Sequence, residues 1–398
     1  MRWAQDCFTT STTQVLWLGG PAGTGKSTIA QTIAENLSKT HQLAASFFFS
    51  HERPGRNTAN HFWPTIAFQL AMTTPELRTR IGRAVEDDPA IFLRSPVDQM
   101  EKLIVGPLSS FKSLPACVVV IDALDECEGR GACDILRSVS QLINDHHIPL
   151  RILVTSRAEP HICNHVQSPE FQHICQPISL NESFPPGHDI HLYLRRGFDD
   201  IITRHPYTMR NIPAPWPSPN EIERLVTRSS GLFIYASTVL RFIGDEDHRP
   251  TDQLEAILNA PRSTPLTELD RLYHHILSTS TTSTHSSLLR RILGCLLIAG
   301  EPISSIEIEN LLSLRQGDVG FTLRRMHSVI SVPDSPSQAV TLIHSSFADF
   351  LFSSERAGTY YQDPAQSHLD LARACLRLAQ NRGIQGYVLS LSPLYVLY

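Results

Sequence analysis

Hydrophobic positions divide this chain into two textures. In the first third, short apolar runs alternate with stretches of helical period. Residues 15–18 are one such run, ending in Gly19-Gly20, and residues 27–37 then place apolar side chains at three- and four-residue spacing. That pattern predicts a strand, a loop and a helix. A second strand is expected over 44–49, followed by helices over 59–72, 75–85 and 96–108. The third strand, 116–121, is apolar at every position, as expected of a parallel strand covered on both faces. A helix over 135–143 and strands over 151–155 and 174–180 complete the pattern. Alternating elements of this kind predict an α/β fold, a doubly wound parallel-sheet core with right-handed crossovers.

After about residue 180 the strand signal fades. Residues 183–187 form a Pro/Gly turn cluster, and 206–219 carry five prolines, which reads as a loop or linker. Helices are expected over 189–198, 221–227, 233–242, 253–258, 268–277, 287–299, 305–312 and 321–327. Two strand-like segments, 329–332 and 339–343, flank Pro333-Asp334-Ser335-Pro336. Helices followed by a small hairpin predict a winged helix. Residues 278–287, rich in Ser and Thr, read as a flexible loop, and no internal repeat is visible. The expected organisation is a short lead (1–13), a nucleotide-binding core (14–180), a helical lid (181–262), a winged-helix domain (263–356) and a C-terminal helix with a stub (357–398). The brevity of the lead and the stub suggests a truncated chain.

The loop after the first strand carries the clearest chemistry. Gly20-Pro21-Ala22-Gly23-Thr24-Gly25-Lys26-Ser27 fits G-x-x-x-x-G-K-[ST], with a strand before it and a helix after it. Glycines let successive backbone N–H groups turn toward a phosphate without Cβ clashes. Lys26 then reaches the outer phosphates, Ser27 ligates Mg²⁺, and the helix that begins near Thr28 adds its N-terminal dipole. Gly20, Gly23, Thr24, Gly25, Lys26, Ser27 and Thr28 are therefore candidate nucleotide contacts, with ATP or GTP and Mg²⁺ as the expected ligands.

The third strand runs into Asp122-Ala123-Leu124-Asp125-Glu126. A carboxylate at the carboxyl end of a buried parallel strand stands where open α/β sheets bind ligands. Asp122 is the expected Mg²⁺ partner, through water. Asp125 and Glu126 are candidates to orient or deprotonate a water attacking the γ-phosphate. Arg157 ends the fourth strand. It points at the γ-phosphate if that strand lies between the first and third, and is otherwise a surface residue or a partner of Glu159.

Composition removes other classes. The chain of 398 residues carries 34 Lys and Arg against 39 Asp and Glu, a net charge of −5, so no bulk field favours nucleic acid or an anionic membrane. The eight cysteines include no C-x-x-C pair, which predicts a reducing compartment and no zinc site. The longest apolar run, 292–299, is too short to span a bilayer. The expectation is a soluble, cytoplasmic protein without nucleic-acid or membrane partners.

The phosphate loop, the Asp122–Glu126 acid cluster with a small residue after its first Asp, and Thr155-Ser156-Arg157 together resemble a NACHT domain. NACHT domains belong to the signal-transduction class of P-loop NTPases, and the similarity is strongest to the fungal nephrocystin-like set. Trp216-Pro217-Ser218, Gly231-Leu232-Phe233-Ile234 and Leu342-Ile343-His344-Ser345 extend it along the chain. The resemblance implies a slow ATP- or GTP-dependent switch in fungal non-self recognition or programmed cell death, with weak triphosphatase activity, a homo-oligomer as the active form and a signalling partner. It also implies that His344 contacts the β-phosphate of bound diphosphate, although Ser345 stands where those switches have Asp, and a structural role for His344 stays open. Phe233 replaces a proline of a segment that packs near the base, so helix-start packing is the other reading there. The alternative function is a non-hydrolysing scaffold.

Overall fold

The computed structural model describes residues 13–51, 53, 55–109, 118–180, 186–260, 267–280 and 286–382. The expected lead, the 183–187 turn cluster and the terminal stub lie wholly or largely outside the described residues, as do Ala116, Cys117 and residues 281–285 of the expected 278–287 loop. The rest of that segment is helical, 278–280 ending the helix Glu268–Ser280 and 286–287 opening the helix Ser286–Ile298. The chain divides into two compact units, Met1–Pro185 and Pro186–Tyr398.

In the first unit five parallel strands form one sheet: β1 (Val15–Gly19), β2 (Leu43–Phe48), β3 (Val118–Asp122), β4 (Arg151–Ser156) and β5 (Cys175–Ser179), in the order β2-β3-β4-β1-β5. The uninterrupted apolar run of β3 has a direct cause. Val119 and Ile121 enter a core built with the helices Phe62–Ala71, Pro75–Asp87 and Gly131–Asn144, while Val118 and Val120 face the helix Lys26–Lys39 across the other side. All four are buried, and each such side chain contributes about 1.5–3 kcal/mol. The sheet is thus covered on both faces, as the sequence predicts.

Edge strands read differently. On β5, Gln176 and Pro177 are exposed, and a proline is tolerated there because no neighbour needs its missing N–H. On the opposite edge the side-chain amide of Gln69 accepts from Ser46 N–H (2.9 Å) and donates to the Ser46 carbonyl (2.8 Å). It occupies backbone groups that would otherwise be open to another strand.

The second unit is mainly helical. Helix Gly187–Arg204 buries Ile190, Leu194, Phe198 and Ile201, one stripe at helical spacing, in a core shared with helices Pro219–Ser229, Phe233–Ile243, Glu268–Ser280 and Ser286–Ile298. Helices Pro219–Ser229 and Ser305–Leu312 begin at capping boxes, Ser218 with Glu221 and Ser304 with Glu307. Three short strands, β6 (Ile303–Ser304), β7 (Ile330–Ser331) and β8 (Ala339–Leu342), pair antiparallel in the order β6-β8-β7. The expected strand pair is present, and β6 joins it from a two-residue segment with no periodicity of its own. No helix among the described residues is long and apolar enough to cross a membrane.

Candidate functional site

The loop Gly20–Gly25 links β1 to the helix Lys26–Lys39. Gly23 and Gly25 have φ of 80° and 90°, a region that side-chain-bearing residues avoid, so glycine at these positions sets the path of the loop. Thr24 is buried, and its hydroxyl donates to the Pro21 carbonyl at 3.0 Å, closing the loop on itself. Lys26 is only 8% exposed, and its ammonium donates to the carbonyls of Gly20 and Pro21, both at 2.8 Å. The side chain therefore runs back along the loop and holds its charge at the loop's mouth. The helix has no side-chain cap at its N-terminus, so its first N–H groups remain donors for an anion. Ser27 and Thr28 lie exposed in that first turn.

Asp122, at the end of β3, is 3% exposed. Burial raises its carboxyl pKa, while hydrogen bonds from Thr155 and Ser27 and the charge of Lys26 pull it down. β3 is not the neighbour of β1, because β4 lies between them and pairs with both. β4 supplies the link: the fully buried Thr155 hydroxyl donates to Asp122 Oδ1 at 2.5 Å and accepts from Ala123 N–H at 3.0 Å. Ala123 itself has φ 54°, a left-handed conformation that strains bulky or β-branched residues, which accounts for the small residue after Asp122.

That left-handed step turns the chain so that Asp125 and Glu126 come back over the strand ends. Asp125 accepts from the backbone N–H of Arg157 at 2.9 Å and meets Arg157 Nε at 3.1 Å. Glu126 accepts from the N–H of His51 at 3.2 Å, and burial pushes its carboxyl up to about 7. The loop after β2 is tied to the same region by Glu128, which donates its N–H to the Asn57 carbonyl (2.7 Å) and accepts from the Asn57 amide (2.6 Å). The Lys26 ammonium is drawn below its ordinary pKa by burial, raised by Asp125, and lowered again by Arg157. Lys26, Ser27, Asp122, Asp125, Glu126 and Arg157 are thus assembled at the carboxyl edge of one sheet.

His344 belongs to the second unit. There it is the N-cap of the helix Ser345–Leu351: Nδ1 accepts from Ser346 N–H at 3.1 Å and meets Ser346 Oγ at 2.7 Å. Ser346 Oγ also meets the Tyr273 hydroxyl at 2.8 Å. Phe233 starts its helix and packs edge-on to Tyr193, with ring centroids 6.0 Å apart.

Thr155 and His51 are the site residues whose parts the sequence alone does not disclose. A detectable signal existed for Thr155, a hydroxyl in the otherwise aliphatic stretch Ile152-Leu153-Val154, because a buried polar group requires a partner. His51 acts through its backbone, and no side-chain pattern announces that. Thr155→Val is expected to leave Asp122 and the Ala123 N–H short of a partner, costing ~1–3 kcal/mol of stability and weakening Mg²⁺-dependent nucleotide binding. Thr155→Ser should restore both. Urea unfolding beside Mg²⁺ titration checks this, and a valine variant as stable as the parent would refute it.

Comparison with known proteins gives three findings. Residues 2–157, ending at Arg157, match the family described as Nephrocystin 3, N-terminal. No curated protein matches the chain. Among solved structures, the chain is similar to Drosophila ORC bound to DNA (8% identity, 79% of this chain and 75% of that one, TM-score 0.37). It is likewise similar to the Aeropyrum pernix ORC1 protein in complex with DNA (14% identity, 96% and 91%, TM-score 0.39).

Proposed function

We propose that this protein binds a nucleoside triphosphate, ATP or GTP, with Mg²⁺ at the β1 loop and works as a slow nucleotide-dependent switch. The observation that carries the reading is the placement of β4 between β1 and β3, with Thr155 holding Asp122 opposite Ser27 and Lys26. The residues suit the ligands. A loop with two left-handed glycines, a buried lysine and an uncapped helix start offers backbone donors and one cation to phosphates. Ser27 and Asp122 together make a modest oxygen donor set of the kind Mg²⁺ uses alongside substrate phosphates. The bound ion would neutralise charge on the phosphate oxygens.

In this reading Lys26 and the first N–H groups of the helix orient the phosphates. Asp122 and Ser27 hold the ion. Arg157 stands on the sheet edge beside Lys26, where a guanidinium favours the additional charge of a triphosphate. Glu126 receives the proton of the attacking water, a task suited to a carboxyl with a pKa near the working pH. The meeting of Lys26, Ser27, Asp122 and Glu126 in one site favours a hydrolysing switch over a scaffold that only binds partners. The helices and three-stranded antiparallel sheet of the second unit are the parts from which a winged helix is built, and His344, as a helix N-cap, is a candidate to respond to the bound nucleotide.

The direct test is calorimetric titration of the full chain with ATP and GTP, each with and without Mg²⁺. One nucleotide per chain is expected, bound more tightly with the ion present. A folded chain that takes up neither nucleotide would overturn the proposal.

A further inference from the structure

The two acids after Asp122 are not equivalent. Asp125 has a side chain 8% exposed, and both its oxygens engage one residue of the neighbouring strand end: Oδ1 accepts Arg157 N–H and Oδ2 faces Arg157 Nε. Glu126 instead receives a backbone N–H from the loop after β2. A buried carboxylate needs a compensating charge, and Arg157 supplies it. The reverse dependence matters more for function. Arg157 is a long side chain one-quarter exposed whose charge is felt by Lys26, and the Asp125 carboxylate offsets the repulsion between the two cations. A carboxylate on the Nε edge fixes the roll of the guanidinium plane, and that plane sets the direction from which its rigid fork of N–H donors can meet phosphate oxygens.

From this geometry we infer that Asp125 is the positioning residue of Arg157, so that preference for triphosphate over diphosphate depends on the Asp125–Arg157 pair while proton transfer belongs to Glu126. The inference rests on the nucleotide-binding reading and assigns a role within that same site. It predicts that Asp125 matters for nucleotide discrimination only while Arg157 is present.

The experiment is a double-mutant cycle on the full chain. It measures affinity for Mg²⁺ complexes of a diphosphate and its non-hydrolysable triphosphate, in whichever base, adenine or guanine, binds. Arg157→Ala should lower the triphosphate-to-diphosphate preference about tenfold to a hundredfold, the scale of one charge-assisted contact. Asp125→Asn should lower it several-fold by itself and change it little further when Arg157 is already alanine. Should Asp125→Asn fold poorly, Asp125→Glu, which keeps the charge on a longer arm, should still lower the preference with diphosphate affinity retained. An undiminished preference in folded Asp125 variants, or an effect of equal size with and without Arg157, overturns this inference and leaves nucleotide binding standing. A parent chain that binds neither nucleotide overturns both.

Discussion

Glu126→Gln is expected to slow triphosphate hydrolysis ~10²–10⁴-fold, the usual contribution of a positioned base, with Mg²⁺–triphosphate binding nearly unchanged. The amide keeps the size of the side chain and a carbonyl oxygen to accept His51 N–H, and it loses the proton-accepting carboxylate. The parent's kcat/KM, which reports the free chain, should climb with pH through about 7, because burial holds the carboxyl protonated up to about 7 and only the ionised form accepts a proton. The variant should lack that rise. Stability supplies an independent readout. A carboxyl whose pKa is higher in the folded chain than in the unfolded one favours the fold while it is protonated. That contribution is lost as pH rises from about 4.5 through about 7. Glu126→Gln should therefore melt at a higher temperature than the parent above pH 7 and at a similar one below pH 4.5. A variant that hydrolyses as fast as the parent would remove Glu126 from the mechanism, whatever its effect on melting.

Lys26→Ala should weaken Mg²⁺–nucleotide binding about a hundredfold. One charge-assisted phosphate contact is worth ~1.5–3 kcal/mol, about tenfold to 150-fold in affinity, and here the lysine has a second task. Its ammonium ties the carbonyls of Gly20 and Pro21 together, so removing it also frees the loop that presents the backbone donors. Lys26→Met, which keeps most of the stem without the charge, should lose nearly as much. The sheet does not depend on this side chain, and circular dichroism should be unchanged. Unaltered affinity in a folded Lys26→Ala protein would mean that phosphates do not bind at this loop.

Much of the fold was legible from periodicity. The strands of the first unit lie within one or two residues of their predicted bounds, since apolar runs bounded by Gly, Asp and Ser leave few alternatives. Helices were underestimated at their ends. Gly131–Asn144 starts four residues before the stretch predicted, because its first turn, Gly131-Ala132-Cys133-Asp134, buries only the small Ala132 and so carries no visible period. The helices Pro160–Val166 and Pro169–Gln172 leave no mark in the periodicity: each is too short to build an amphipathic pattern, although each begins with a proline at its first position.

The amino-acid order by itself determined which groups are available to the site. The phosphate loop is one contiguous segment whose chemistry lies in its own glycines, lysine and serine, and Asp122 ends a strand whose burial is written in its composition. Tertiary structure decided who meets whom. Nothing in the order of strands along the chain states that β4 is inserted between β1 and β3, yet that insertion brings Thr155 to Asp122 and Arg157 to Asp125 across separations of 33 and 32 residues. It also decided which acid is tuned. Asp125 and Glu126 are adjacent and chemically alike in sequence. One is neutralised by an arginine from the next strand, and the other is left to a backbone N–H and a burial that raises its pKa, because the left-handed turn at Ala123 sends their side chains to different neighbours.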